Sequence, residues 1–302
     1  MLTILWIAGL LLAVLSAIGF GQAAFIMGSG RRQTLEEARR WQEEHYDLAW
    51  YDALGKKDYT VCSFDGYILH AQYLKSPGEA RRCVIISHGY TDNRFGALKY
   101  ARIYLDRGDD VIVYDLRGHG MNARDFCTYS IREGRDLDAL IRDARARFPG
   151  LEMLGIHGES LGAASSVACL KYAPPVDFVV SDCGFSEIRS VLENGMRRMH
   201  LLAAMVRLAS ACAKLRYGYG FDEMRPIDSL RDSRVPILFM HGTEDDLIPP
   251  AHSEAMYKAA RELRAICLVP GAPHAESVLT DPALYREKVW AFLDKVEAAD
   301  RS

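Results

Sequence analysis

Apolar and polar positions divide the chain into three regions. From Leu2 to Met27 no charged side chain occurs, a stretch longer than the ~20 apolar residues that cross a bilayer. Residues 31 to 50 are instead rich in Glu, Arg, Gln and Ala, the composition of a solvated helix, and they predict a plain juxtamembrane spacer over 29–54. Beyond it, YTVCSFDGYILHAQYL (59–74) gives two β-rich runs around Asp65-Gly66, a strong hairpin signal. Short continuous apolar runs then alternate with stretches of helical period. The runs are CVIIS (83–87), VIVYD (111–115), MLGIH (153–157), FVVSD (178–182), PILFMH (236–241) and AICLV (265–269). Helices are predicted near 95–107 and 132–147, from 160, and near 251–263 and 283–297. Apolar strands separated by helices predict a mainly parallel α/β sheet covered on both faces, in one domain over 55–300.

The first region predicts an uncleaved single-pass anchor over residues 1–28. A cleaved leader would carry a basic n-region, a shorter apolar core and an A-x-A-like site, and the GQA of residues 21–23 matches poorly. Arg31, Arg32, Arg39 and Arg40 follow the span while only the α-amine precedes it. By the positive-inside rule the larger domain is expected in the cytoplasm, the extracellular side being the alternative.

Composition removes two classes of function. The formal net charge of the 302 residues is −3, and the double arginines are scattered among acids rather than gathered in a stripe, so no nucleic acid is expected as a partner. The seven cysteines are dispersed, mostly inside apolar runs, without a CxxC pair, and the nine histidines lack ligand spacing. Neither a disulfide framework nor a metal site is expected, and no cofactor motif is present.

Chemistry concentrates at GIHGESLGAASS (155–166), where Ser160 stands between Gly158 and Gly162 at a strand-to-helix junction. A serine on so sharp a turn needs neighbours without side chains at those two offsets. Its hydroxyl becomes a nucleophile only if a base takes its proton and a carboxylate orients that base. HGTEDDLIP after PILFMH and GAPHAES after AICLV offer Asp245 and His274 in loops at the carboxyl ends of parallel strands, the edge where such sheets place their sites. The order Ser, Asp, His, the elbow, SHGYTDN after the first parallel strand and DLRGHG after the next together resemble the α/β-hydrolase family of serine hydrolases over about residues 55–298. The resemblance implies Ser160 as nucleophile, His274 as general base and then acid, and Asp245 as its carboxylate. It also implies an oxyanion hole from the backbone N–H groups of Tyr90 and Leu161. His88, His119, Asp115, Arg117 and Glu159 are expected in supporting roles, and Asp182 is the rival for the orienting carboxylate.

A serine at the elbow argues against the aspartate-dependent dehalogenases and epoxide hydrolases that resemble this fold. The expectation is an esterase or lipase-like hydrolase cleaving an ester or thioester through an acyl-enzyme, its substrate a small acyl ester with lipids among the candidates. An amidase or S33-like aminopeptidase is the alternative, and a non-catalytic binding module on the same scaffold is a third reading. Residues 185–230 exceed one crossover helix, and MHLLAAMVRLASACA (199–213) is apolar nearly all round. It is expected either as a buried crossover helix or as part of a helical lid with Met196, Met199 and Met205 as acyl-chain contacts.

Overall fold

The computed structural model describes residues 1–28 and 30–300. Its helices are α1 (Leu2–Gly28), α2 (Leu35–His45), α3 (Ala49–Ala53), α4 (Leu98–Leu105), α5 (Ile131–Arg147), α6 (Leu161–Cys169), α7 (Ile188–Arg198), α8 (Ala204–Tyr217), α9 (Ala251–Ala259), α10 (Ser277–Thr280) and α11 (Pro282–Asp300). Its strands are β1 (Lys56–Cys62), β2 (Ile68–Leu74), β3 (Arg82–Ser87), β4 (Asp110–Tyr114), β5 (Met153–Glu159), β6 (Phe178–Asp182), β7 (Ile237–Gly242) and β8 (Arg264–Val269). The chain divides into two compact units, Arg32–Ser186 with Pro226–Ser302, and Met1–Arg31 with Glu187–Arg225.

The larger unit is an eight-stranded sheet of order β1-β2-β4-β3-β5-β6-β7-β8. β1 and β2 form the hairpin, in register from Lys56 opposite Leu74 to Cys62 opposite Ile68, and β2 runs antiparallel to β4. The remaining neighbours are all parallel. β4, β6 and β7 are buried along their whole length, which is why they read as unbroken apolar runs. Alternate strand residues face opposite sides. Val84, Ile86, Val111, Val113, Val180, Leu238 and Met240 share one core with Tyr100 and Tyr104 of α4 and Val289, Phe292 and Leu293 of α11. Each such fully buried side chain contributes ~1.5–3 kcal/mol. At the edge, β1 is mostly exposed and begins Lys56-Lys57-Asp58, charges that discourage pairing with another sheet.

Two expectations about segments are corrected here. Residues 32–54 are no free spacer but part of the sheet unit. Thr34 and Glu37 close a capping box that starts α2, the Gln33 amide donates to the Thr91 carbonyl, 2.8 Å, and the Arg32 guanidinium reaches the carbonyls of Gly118 and Asp125 at 2.5 and 3.0 Å. The second correction lies in the smaller unit, where residues 199–213 are not one helix. α7 ends at Arg198 because His200 takes φ 57°, the His200 amide turns back to the Arg197 carbonyl, and the Leu201 amide to that of Met196. This is a Schellman stop with histidine in the position usually given to glycine. Met199 therefore sits in a turn, and the next helix begins at Ala204.

In that smaller unit α1 lies against α8. Gly19, Ala23, Ile26 and Met27 form its buried face, and a Cβ at Gly19 would stand 2.6 Å from Cys212 Sγ and 2.9 Å from Leu208 Cγ. The helix is 27 residues long, with a mean hydropathy of 2.4 over its most apolar window, and is long and apolar enough to cross a membrane.

Candidate active site

Ser160 follows β5 directly with φ 53° and ψ −111°, a conformation that costs a residue other than glycine about 1–3 kcal/mol. Its surroundings enforce it. The Ser160 amide donates to the Asp182 carbonyl at the end of β6, 2.8 Å. A Cβ at Gly158 would lie 2.3 Å from the Gly162 carbonyl carbon, and one at Gly162 would lie 2.2 Å from the Ser87 oxygen, so only glycine fits on either side.

The loops after β7 and β8 bring Asp245 and His274 to this serine. Asp245, buried, accepts from the amides of Leu247 and Ile248 at 3.0 and 2.8 Å through Oδ1, while Oδ2 lies 2.7 Å from His274 Nδ1 and 3.2 Å from His241 Nε2. Burial would raise its pKa, but the two histidines and the Ile248 amide outweigh burial and hold it below the usual carboxylate range. An ionised carboxylate only accepts, so His274 carries its proton on Nδ1. Its Nε2 is then the acceptor facing Ser160 Oγ at 3.0 Å. Asp182, the rival carboxylate, makes other bonds: it accepts from the hydroxyls of Tyr100 and Tyr285, both at 3.0 Å.

Two backbone donors flank the serine. Leu161 is the first residue of α6, so its N–H has no acceptor within the helix. Tyr90 follows Gly89 in the loop after β3, and that peptide is held from the far side. Leu116 N–H donates to His88 Nε2 at 2.9 Å, which leaves the His88 proton on Nδ1 to donate to the Gly89 carbonyl at 2.7 Å. The Gly89 carbonyl and the Tyr90 N–H belong to one planar unit and point opposite ways, so the first bond aims the second group. His119 lies between the carbonyls of Tyr90 and Arg117, one ring nitrogen against each. The Asp115 carboxylate binds the Arg94 amide and guanidinium together with the Met121 amide, and buried Arg117 forks onto Asp136 at 2.5 and 2.8 Å. These four side chains shape the two loops from beneath.

Sequence reasoning missed Lys99, Gln33 and Trp41. A cleft of about 300 Å³ beside Ser160 and His274 is lined by Gln33, Trp41, Tyr90, Asp92, Lys99, Glu159, Leu247, Glu276 and Leu279, among others. Lys99 Nζ pairs with Glu159 and donates to the Ala275 carbonyl at 3.0 Å, joining the residue before the serine to the residue after the histidine. Its one legible trace was a lysine in the first turn of a mostly apolar helix, LKYARIYL. Burial pushes the Asp92 carboxyl up to about 6 against the Asn93 amide that favours its charge. Met196, Met199 and Met205 belong to the smaller unit, where the chain reverses at His200 and turns Met199 outward, 62% exposed. Cys183 brings its Sγ within 4.8 Å of ligand atoms of Asp245 and His274, yet burial keeps the thiol protonated and His274 Nδ1 is already committed to Asp245.

The buried histidines set a testable response to acid. Burial lowers the pKa of His88 to about 4 and that of His157 to about 3. A histidine whose folded pKa lies below its unfolded value of ~6.5 contributes stability that is intact above that pH and lost as pH falls toward the folded value. Their share of the unfolding free energy should therefore decline once pH drops below about 6.5, opposed by Asp92 and Asp182, whose carboxyls burial raises to about 6 and which favour the folded state more as pH falls. Imidazole NMR signals of His88 or His157 that titrate between pH 7 and pH 5 would contradict the neutral, buried assignment.

With this geometry in view, solved structures share the architecture: an esterase from Pyrococcus furiosus superposes with a TM-score of 0.69 at 19% identity, over 83% of this chain and 94% of that one. Residues 78–217 match the family described as serine aminopeptidase, S33. The chain has the α/β-hydrolase fold. Among α/β-hydrolases of known structure, an acylaminoacyl peptidase from Pyrococcus horikoshii is also similar, with a TM-score of 0.62 at 17% identity, over 83% of this chain and 43% of that one. Along the sequence, protein YqkD of Bacillus subtilis is 28% identical over 298 residues, 97% of each chain. Human alpha/beta hydrolase domain-containing protein 17C is 25% identical over 74% of this chain and 62% of its own length.

Proposed function

We propose that this α/β-hydrolase cleaves carboxylic esters or thioesters through an acyl-enzyme on Ser160. The observation that carries the reading is the unbroken chain from Ser160 Oγ to His274 Nε2 at 3.0 Å and from His274 Nδ1 to Asp245 at 2.7 Å. In this mechanism His274 takes the Ser160 proton as Oγ attacks the acyl carbon, and Asp245 stabilises the imidazolium that forms. The amides of Tyr90 and Leu161 receive the negative charge that develops on the carbonyl oxygen, often the largest single catalytic contribution. His274 then protonates the departing alkoxide or thiolate, and a water activated in the same way releases the acid. The apolar helix α1 is proposed to anchor the enzyme in a membrane, with the arginines after it holding the hydrolase domain on the cytoplasmic side.

A second reading, hydrolysis of aminoacyl amides, is favoured by the carboxylates of Asp92 and Glu276 in the cleft, which suit a cationic amine, and by the match to the S33 family. One experiment weighs both. A fluorophosphonate should label the purified full chain, and esters of graded acyl length and aminoacyl amides should then compete for the label. Protection by esters and not by amides supports the first reading, the reverse the second, and absence of labelling would favour a non-catalytic module.

A further inference from the structure

We propose that the turn between α7 and α8, Arg197–Leu202, is a docking loop that inserts into the anionic headgroup surface of the membrane entered by α1. It rests on the anchoring role proposed for α1 and is independent of the catalytic reading.

Three large apolar side chains crowd one six-residue turn and face solvent: Met199 is 62% exposed, Leu201 46% and Leu202 73%. Exposed apolar groups gathered this closely mark an interaction surface. They are interleaved with Arg197, Arg198 and His200, and Arg207 lies exposed on the next helix. From Asn194 to Phe221 the sequence holds no acidic residue. The whole unit carries eight Lys and Arg against four Asp and Glu, in a chain whose net charge is −3. Apolar side chains that enter the acyl boundary, with arginines beside them at the phosphate level, are the pattern of segments that lie in the interface of an anionic membrane.

Two observations select lipid over a second copy of the chain. The turn belongs to the same unit as α1, whose Gly19 packs on Leu208 and Cys212 of the helix that follows the turn. Moreover, a two-fold dimer through this patch would set the same residues against one another and bring like-charged arginines face to face. The reversal at His200 that ends α7 turns the apolar residues outward, and this gives the Schellman stop a purpose.

The test uses the full chain reconstituted in lipid nanodiscs, with hydrogen exchange of the peptide covering 196–205 followed by mass spectrometry. On discs with about a third phosphatidylglycerol, exchange there should be on the order of fivefold slower than on neutral phosphatidylcholine discs, and the difference should shrink when salt reduces the Debye length from ~10 Å to below ~5 Å. Leu201→Ser with Leu202→Ser, and separately Arg197→Gln with Arg198→Gln, should remove the protection without altering exchange in the sheet. Quenching of Trp6 by brominated lipids reports insertion of α1 by itself. Quenched Trp6 with equal exchange on neutral and anionic discs overturns the docking loop while sparing the anchor, and unquenched Trp6 overturns both. Protection that grows with protein concentration and ignores lipid charge would assign the surface to a second copy instead.

Discussion

Ser160→Ala is expected to abolish fluorophosphonate labelling and to lower ester turnover by on the order of 10⁶, because nucleophile and base act as a unit whose parts do not contribute additively. The fold should survive. Among the described residues the Ser160 side chain bonds His274 Nε2 alone, and the strained backbone is fixed by the Asp182 carbonyl and by the two glycines rather than by the hydroxyl. His274→Ala should lose nearly as much activity. Asp245→Asn should cost about 10⁴, since an amide can present its N–H to His274 and favour the wrong tautomer. Asp182→Asn is the control: its carboxylate bonds two tyrosine hydroxyls and no group of the reacting chain. Retained labelling of Ser160→Ala would end the nucleophile assignment, and a larger loss from Asp182→Asn than from Asp245→Asn would end that of the carboxylate.

How much of this was legible in the sequence depended on how local the cause is. The parallel strands were readable because strands buried on both faces have no polar positions to interrupt them, and β4, β6 and β7 are buried throughout. Ser160 was readable because its turn imposes a requirement on residues two positions away. Asp245 and His274 were readable through the strands that deliver them. The stop at His200 was not, because a histidine in the left-handed region leaves no compositional mark where a glycine would have. Nor was the role of residues 32–54. Their charged face predicts a solvated helix, and α2 does expose Glu36, Glu43 and Glu44, but nothing in the spacing says that Gln33 just before it and Trp41 within it border the cleft. Long-range partners of single polar residues were hidden for the same reason, Lys99 above all.

Lys99→Met is expected to be the most destabilising single change near the site. The lysine and Glu159 are only 6% and 7% exposed at their side chains. Burial alone would lower the Lys99 pKa, yet the Glu159 carboxylate outweighs it and raises it, so the pair is held charged by mutual attraction. Removing one partner of such a pair typically costs ~3–5 kcal/mol, because the other is left as an uncompensated buried charge. Against a total stability of about 5–15 kcal/mol, that is enough to lower the thermal midpoint by many degrees. Glu159 would keep the Tyr100 hydroxyl at 2.6 Å, whose one proton it shares with Asp182 at 3.0 Å, so the loss should be large without being complete. Turnover should fall too, because the Ala275 carbonyl that follows His274 loses its donor. The double variant Lys99→Met with Glu159→Gln separates the two effects. Stability should return most of the way toward the unmodified protein, since no unpaired charge remains, while turnover stays low, since the tie between the elbow and the histidine loop is still missing. A double variant no more stable than Lys99→Met alone would mean that the lysine acts through packing of its methylene chain and not through charge.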